Sequence, residues 1–224
     1  MITDYASLKT AVGNWLARTT DNVFVEEVPT FIQLGERHLM KKLRVREMVC
    51  EARSDLNEEC EWLPSGFQDI DFVNVLDLAS GTIGNGDAVI AKTTPLTYAD
   101  NERFHRYDTL SERGRPKHYT ILGERIRFKP YPSVDAGEES GFGFELSYFG
   151  EWTPLSEATG ETTNAILGKF SDLYLWSALI QAEGFIIDDQ RIAVWKGQLE
   201  AGIAEANWAS EQSEYGTMAI SMPH

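Results

Sequence analysis

The sequence predicts an α+β protein in which N- and C-terminal helices form a helical bundle and an antiparallel β-sheet or small barrel is inserted between them. Three observations carry this. Apolar residues recur three and four apart near both ends of the chain, the spacing of helices with one buried face. Between Val45 and Gly150 the period shortens towards two, the spacing of half-buried strands. The 224 residues carry 42% apolar and 25% charged side chains, the balance of a folded chain with one good core. The expected organisation is a helical domain from residues 1–44 and 151–215, an inserted β domain at 45–150 and a C-terminal extension at 216–224. Helices segregated from strands along a chain give such an arrangement.

The elements follow in order. Thr3 or Asp4 opens a first helix with Tyr5, Leu8, Val12, Trp15 and Leu16 on one face. A second starts around Glu26 to Pro29, because proline is welcome in a first turn, where its missing N–H has no partner to lose. Its buried stripe is Val28, Phe31, Ile32, Leu39, Met40 and Leu43. Its end, Arg37 to Arg46, is the most basic segment of the chain and complements the helix dipole. Strands are expected at Val45–Arg53, Asp69–Leu78 and Ala88–Lys92, with Leu63, Pro64 and Phe67 pinning a turn to the core. Tyr98 to Tyr107 reads as a short helix capped by Thr97, and Lys117–Leu122 with Arg125–Pro130 as a hairpin joined at Gly123-Glu124. Phe142 to Phe149 is the clearest strand, with Phe142, Phe144, Leu146 and Tyr148 on one face.

Two helices close the chain between Phe170 and Tyr215, joined by an acidic turn at Asp188-Asp189. Ser171 is suited to cap the first, which is apolar nearly all round and therefore belongs inside a domain. The second carries a stripe of Ile192, Trp195, Leu199, Ile203 and Ala206, with Arg191, Lys196, Gln198, Glu200 and Glu205 facing water.

Little in this pattern resembles catalysis. The formal net charge is −15, so the chain lacks the bulk basic face with which a nucleic-acid binder neutralises phosphates. Two cysteines, Cys50 and Cys60, make neither a disulfide scaffold nor a metal site, and no cofactor is implied. Gly81, Gly84 and Gly86 mark a turn, since neither Gly-Lys-Ser/Thr nor a helix follows. His38, His105, His118 and His224 stand apart from carboxylates at ligand spacing, and Glu26-Glu27, Glu58-Glu59, Glu138-Glu139 and Asp188-Asp189 read as solvated loops or helix starts. The N-terminus lacks a basic start followed by an apolar run, and no run approaches the ~20 apolar residues of a membrane span. The expectation is a protein made in the cytoplasm, with no membrane partner.

The order of short motifs is more informative than any one of them. Ile2-Thr3-Asp4-Tyr5 with Leu8, Val12 and Trp15-Leu16; Val28-Pro29 through Leu39 with Leu43-Arg44; Leu63-Pro64 with Phe67; Pro95-Leu96 with Tyr98; Pro116 with Tyr119; Arg127 to Pro130; Leu146 to Phe149; and Phe170 to Leu179 followed by Asp188, Asp189, Arg191 and Trp195 run along nearly the whole chain. Together they resemble the head-to-tail adaptor (connector) proteins of tailed bacteriophages, the head-completion and tail-tubular group. The resemblance implies a non-enzymatic structural virion protein, assembled in the host cytoplasm. It would form a ring, usually a dodecamer, of neighbouring copies below the portal protein. The ring extends the DNA channel and offers a docking surface to a downstream tail or stopper protein, and genomic DNA passes through without specific binding. In such proteins the C-terminal segment reaches toward the portal, which makes Trp208, Tyr215, Met218, Ile220, Met222 and His224 the candidate portal-binding residues. Asp135, Glu138 and Glu139 form a candidate acidic loop at the channel or its rim, where negative walls keep DNA from sticking. Two other readings compete: a ligand- or carbohydrate-binding module with a pocket lined by Trp62, Tyr98 and Tyr119, and an enzyme with two dispersed carboxylates of opposed pKa.

Overall fold

The computed structural model describes residues 1–56, 60–106, 113–132, 141–182 and 191–214. The chain is mixed α+β and divides into two compact units, Met1–Met48 with Glu151–His224, and Val49–Gly150. The acidic turn at Asp188-Asp189 lies outside the described residues.

The first unit holds the long helices. α1 (Tyr5–Trp15) starts from a reciprocal cap: the Asp4 carboxylate accepts the Ser7 N–H at 2.7 Å while Ser7 Oγ accepts the Asp4 N–H at 3.0 Å. α2 (Asn22–Lys42) begins well before the expected Glu26 to Pro29. Asp21 caps it through the Phe24 N–H, and Phe24 is fully buried, so the extra turn is held from both sides. Pro29 therefore sits inside the helix. It is exposed, as is Val25 one turn earlier, so the carbonyl that loses its helical partner has water available.

α4 (Ala165–Lys169), capped by Asn164, is a short helix ahead of the two closing helices expected from the sequence. α5 (Ser171–Gln181) follows directly. Ser171 is its first helical residue and not its cap: that position is Phe170, which offers no side-chain hydrogen bond. Phe170 is also the C-cap of α4, so one residue ends one helix and starts the next. α6 (Arg191–Glu214) packs on α5, α5 on α2, and α1 on both α2 and α5.

The α2–α5 crossing depends on a missing side chain. A Cβ at Gly35 would lie 2.9 Å from Ser177 Oγ and 3.0 Å from the Ala178 backbone nitrogen, and Ser177 Oγ–H donates to the Gly35 carbonyl at 2.7 Å. A Cβ at Gly202 on α6 would meet only the end of the Leu173 side chain, at 2.5 Å. Gly35→Ala is expected to cost about 1–3 kcal/mol, because backbone must move. Gly202→Ala should cost less, because a leucine δ-methyl can turn away and alanine returns about 1 kcal/mol of helix propensity. Urea denaturation of both variants measures the difference, and equal midpoints would sink this reading of the crossing.

Among the described residues the second unit holds eight strands in two four-stranded sheets. One runs β1 (Val49–Asp55), β8 (Phe142–Gly150), β3 (Phe67–Ser80), β4 (Val89–Pro95), with every pair antiparallel. The other runs β2 (Cys60–Trp62), β7 (Arg125–Lys129), β6 (His118–Leu122), β5 (Thr97–Tyr98), and its β5–β6 pair is parallel, unlike the antiparallel pattern expected. The residues from Glu61 that read as turn supply part of β2, and the expected strand start at Val45 gives way to a 3-10 turn over Arg46–Met48. α3 (Asn101–Arg106) starts later than the expected Tyr98, and Tyr107, its expected end, lies outside the described residues. Thr97 belongs to β5, and Asp100 accepts the Arg103 N–H at 2.9 Å in the capping role. The alternating face of β8 behaves as its sequence predicts: Phe144, Leu146 and Tyr148 are buried with Val73, Tyr119, Ile126 and Phe128. Phe128 and Phe144, 5.3 Å between ring centroids, bring the two sheets together.

Candidate assembly face on the last helix

α6 has two apolar stripes. Ile192, Trp195, Leu199, Ile203 and Ala206 are buried. Val194, Gly197, Ala201, Ala204 and Trp208 repeat the same three-and-four spacing and are all exposed. At about 100° per residue the second stripe lies roughly opposite the first. Val194 and Trp208 are 61% and 62% exposed, among the most exposed large apolar side chains in the chain. Lys196 and Glu200 flank the outer stripe on one side, Gln198 and Glu205 on the other. A helix that needs only one core should be polar on its far side. This one presents glycine and alanine between two larger apolar residues, a surface another helix can approach closely.

The helix around Trp208 is fastened to the end of α2. The neighbouring Asn207 accepts the Arg44 N–H at 2.8 Å and donates to the Lys42 carbonyl at 3.0 Å. Ser210 Oγ accepts the Arg46 N–H at 2.8 Å. These bonds fasten the end of α2 to the last turns of α6 and satisfy backbone groups that a helix end leaves open. A shallow groove opens alongside, lined by Arg46, Glu47, Lys169, Phe170 and Ala209. Lys169 Nζ lies 2.5 Å from Glu47 Oε1, while Glu47 Oε2 is buried without a hydrogen-bond partner. Burial opposes ionisation of Glu47, yet the Lys169 bond and charge hold its carboxyl below the usual range.

Elsewhere in the same unit one carboxylate is buried. Glu36, on α2, is 2% exposed. Its Oε1 accepts from Trp152 Nε1 at 3.0 Å, Tyr174 Oη at 2.8 Å, the Leu155 N–H at 3.2 Å and Asn164 Nδ2 at 3.4 Å. Burial pushes its carboxyl above the ordinary value, against the pull of these donors. Burial also pushes the Tyr174 hydroxyl well above its ordinary range, so it stays a proton donor. The partners of Glu36 are donors from α5 and from the segment after β8, and no second carboxylate is among them. The geometry is that of a clamp: one acceptor ties residues 152–164 and α5 to α2.

Of the aromatic residues of the binding-module reading, Tyr98 and Tyr119 meet, but Trp62 is not brought to them. Trp62 is on β2 and Tyr98 on β5, the two outer strands of one sheet. Trp62 pairs with Arg125, and Tyr119 with Phe128, three residues further along β7, so Trp62 and Tyr119 lie on opposite faces. Trp62, 63% exposed, carries the Arg125 guanidinium over its ring at 4.0 Å. Tyr98 meets Tyr119 edge to face. Among the described residues no group of histidine, cysteine or carboxylate side chains is arranged to hold a metal, and no helix is long and apolar enough to cross a membrane.

Of the residues singled out from the sequence, Trp208 stands on the outer stripe of α6. Tyr215, Met218, Ile220, Met222 and His224, and the acidic loop residues Asp135, Glu138 and Glu139, lie outside the described residues. Val194 and Gly197 were missed. The signal was available: the three-and-four spacing that links Ala201, Ala204 and Trp208 continues backwards to both. Across the whole chain, the family model described as SU10 adaptor protein matches residues 3–221. No curated protein matches the chain.

Proposed function

Because the chain belongs to the SU10 adaptor protein family, we propose that it is a structural, non-enzymatic component of a bacteriophage virion: a head-to-tail adaptor that assembles as a ring, a dodecamer, below the portal protein. The helical unit serves as a bundle that forms the ring wall, and the ring extends the DNA channel and receives the next tail or stopper protein. The outward stripe of α6 supports this reading most directly. A helix that is apolar on two opposite sides serves its own core with one and a neighbour with the other. Val194, Gly197, Ala201 and Ala204 take a neighbouring copy, and Trp208 anchors the end of the contact nearest the portal. Tyr215, Met218, Ile220, Met222 and His224 continue from that anchor as the portal-contacting extension.

The acidic balance fits the same role. With a net charge of −15 the wall repels the phosphate backbone, so DNA passes without specific binding, and Asp135, Glu138 and Glu139 add to that at the channel or its rim.

Size-exclusion chromatography and negative-stain microscopy, with and without a purified portal protein, test the proposal. The expected result is a monomer or weak oligomer alone and rings on portal particles. A portal that neither binds the chain nor changes its assembly state would overturn it.

A further inference from the structure

The β1-β8-β3-β4 sheet ends in two edges that pair with no further strand among the described residues. β4 is exposed along nearly its whole length, with Val89 and Ile90 54% and 40% exposed. Its one charge is Lys92, and proline appears only at its last position. Natural edges are blunted by charges, proline, bulges or a covering segment. The register shifts near Leu78 and Ser80 leave Lys92 to Pro95 regular, and the Arg115 guanidinium, which donates to Thr94 Oγ1 at 2.6 Å and Asp77 Oδ1 at 2.7 Å, engages side chains and not the strand's main chain.

β1, the opposite edge, has the same length of seven residues. Its side chains are engaged within their own unit. Arg53 holds Glu145 Oε1 through two contacts of 2.6 and 2.8 Å, and the Asp55 carboxylate accepts the Ile83 and Gly84 N–H groups at 2.7 and 2.8 Å. Among the described residues no strand pairs with the outer side of β1. Every pair in the sheet is antiparallel, so β4 runs opposite to β1. A second copy set alongside in the same sense brings its β1 antiparallel to β4, and the alternation continues without a break.

We propose that β4 of one copy takes β1 of the next, joining the two sheets through main-chain hydrogen bonds. The inference rests on the self-association proposed above and names a surface separate from the α6 face. The contact is heterologous, so a series of copies either closes into a ring or runs on as a filament.

Cysteine chemistry tests it, because Cys50 on β1 is free and exposed. Lys92 pairs with Asp77 and through it with Phe142, while Cys50 pairs with Tyr148. Phe142 and Tyr148 share a face of β8, so Lys92 and Cys50 lie on the same face of the sheet and Thr93 on the other. One chain carries Lys92→Cys, Cys50→Ser and Cys60→Ser. A second, differing in tag length, carries Cys60→Ser and keeps Cys50. Mixed at high concentration with purified portal protein under mild oxidation, the two are expected to give the mixed disulfide as the main covalent product. Thr93→Cys in place of Lys92→Cys should lose it, and Ile90→Lys added to the first chain should reduce it while the far-ultraviolet circular dichroism stays unchanged. A main product linking two Lys92→Cys chains, or no product, overturns the proposal. Microscopy separates it from the ring reading. Closed rings without the mixed disulfide sink strand pairing and leave the ring, whereas cross-linked open filaments keep strand pairing and sink the ring.

Discussion

Glu36→Ala is expected to lower the stability of the helical unit by about 3–5 kcal/mol, a large part of the roughly 5–15 kcal/mol that holds a typical domain together. The substitution removes one acceptor but strands several donors. Trp152 Nε1, the Leu155 N–H and Tyr174 Oη all end on Glu36 Oε1, and Leu155 and Tyr174 are buried, so water cannot easily replace the lost partner. A buried donor without a partner costs about 1–3 kcal/mol, and the costs do not simply add. Glu36→Gln keeps a carbonyl oxygen where most donors converge and should cost no more than about 1–2 kcal/mol. Urea denaturation of the three proteins measures this. Equal midpoints for the alanine and glutamine variants would show that the clamp is not what holds the segment.

The same residue gives a pH dependence whose sign runs against ordinary acid denaturation. Burial raises the Glu36 carboxyl above its ordinary value of 4.5, so the folded protein binds this proton more readily than the unfolded chain. Stability from this group is fully present below 4.5 and is lost as pH rises through the higher folded value. Compared with Glu36→Gln, the wild type should therefore gain relative stability as pH falls through that window. Glu47 and Glu145 act in the opposite direction, since both are held below their ordinary value in the folded state, and only the difference between the two proteins isolates Glu36.

Trp208→Ala carries the second large effect, on assembly and not on folding. The side chain is 62% exposed, so its removal should change the unfolding midpoint by no more than about 0.5 kcal/mol. A tryptophan that anchors a contact commonly contributes about 2 kcal/mol or more, which corresponds to about a 30-fold loss of affinity. Portal-dependent ring formation by Trp208→Ala should weaken by that factor, followed by sedimentation or by counting rings in micrographs. Ala201→Glu provides an independent check, because it places a charge in the middle of a stripe of small residues without touching the core of the subunit. If both variants assemble like wild type, the outer stripe of α6 is not an interface.

The family resemblance was legible because it lies in the order of many short motifs, and order survives when each motif alone is weak. Most element boundaries came from period and punctuation. The stripe Ile192 to Ala206 and the alternating face of β8 are buried as spacing predicts. Among the local readings that differed, three did so because tertiary contacts outweighed local rules. Pro29 was placed in a first turn by its preference there, but Asp21 and the buried Phe24 extend α2 past it. Ser171 resembled a cap, but α4 runs into α5 through Phe170 and leaves no open N-terminus to cap. Thr97 resembled one as well, but pairing with His118 draws it into β5.

By itself the sequence determined which faces are apolar and where the period changes from helix to strand. Each of these is local, set by side-chain spacing along a known backbone period. Only the tertiary structure decided that the outer stripe of α6 is exposed, that Glu36 collects donors from residues more than a hundred positions away, that α2 and α5 approach closely at Gly35, and that among the described residues β1 and β4 are the edges of one sheet. Those properties depend on which distant segments meet, and spacing along one chain does not record the partner that burial and main-chain pairing select.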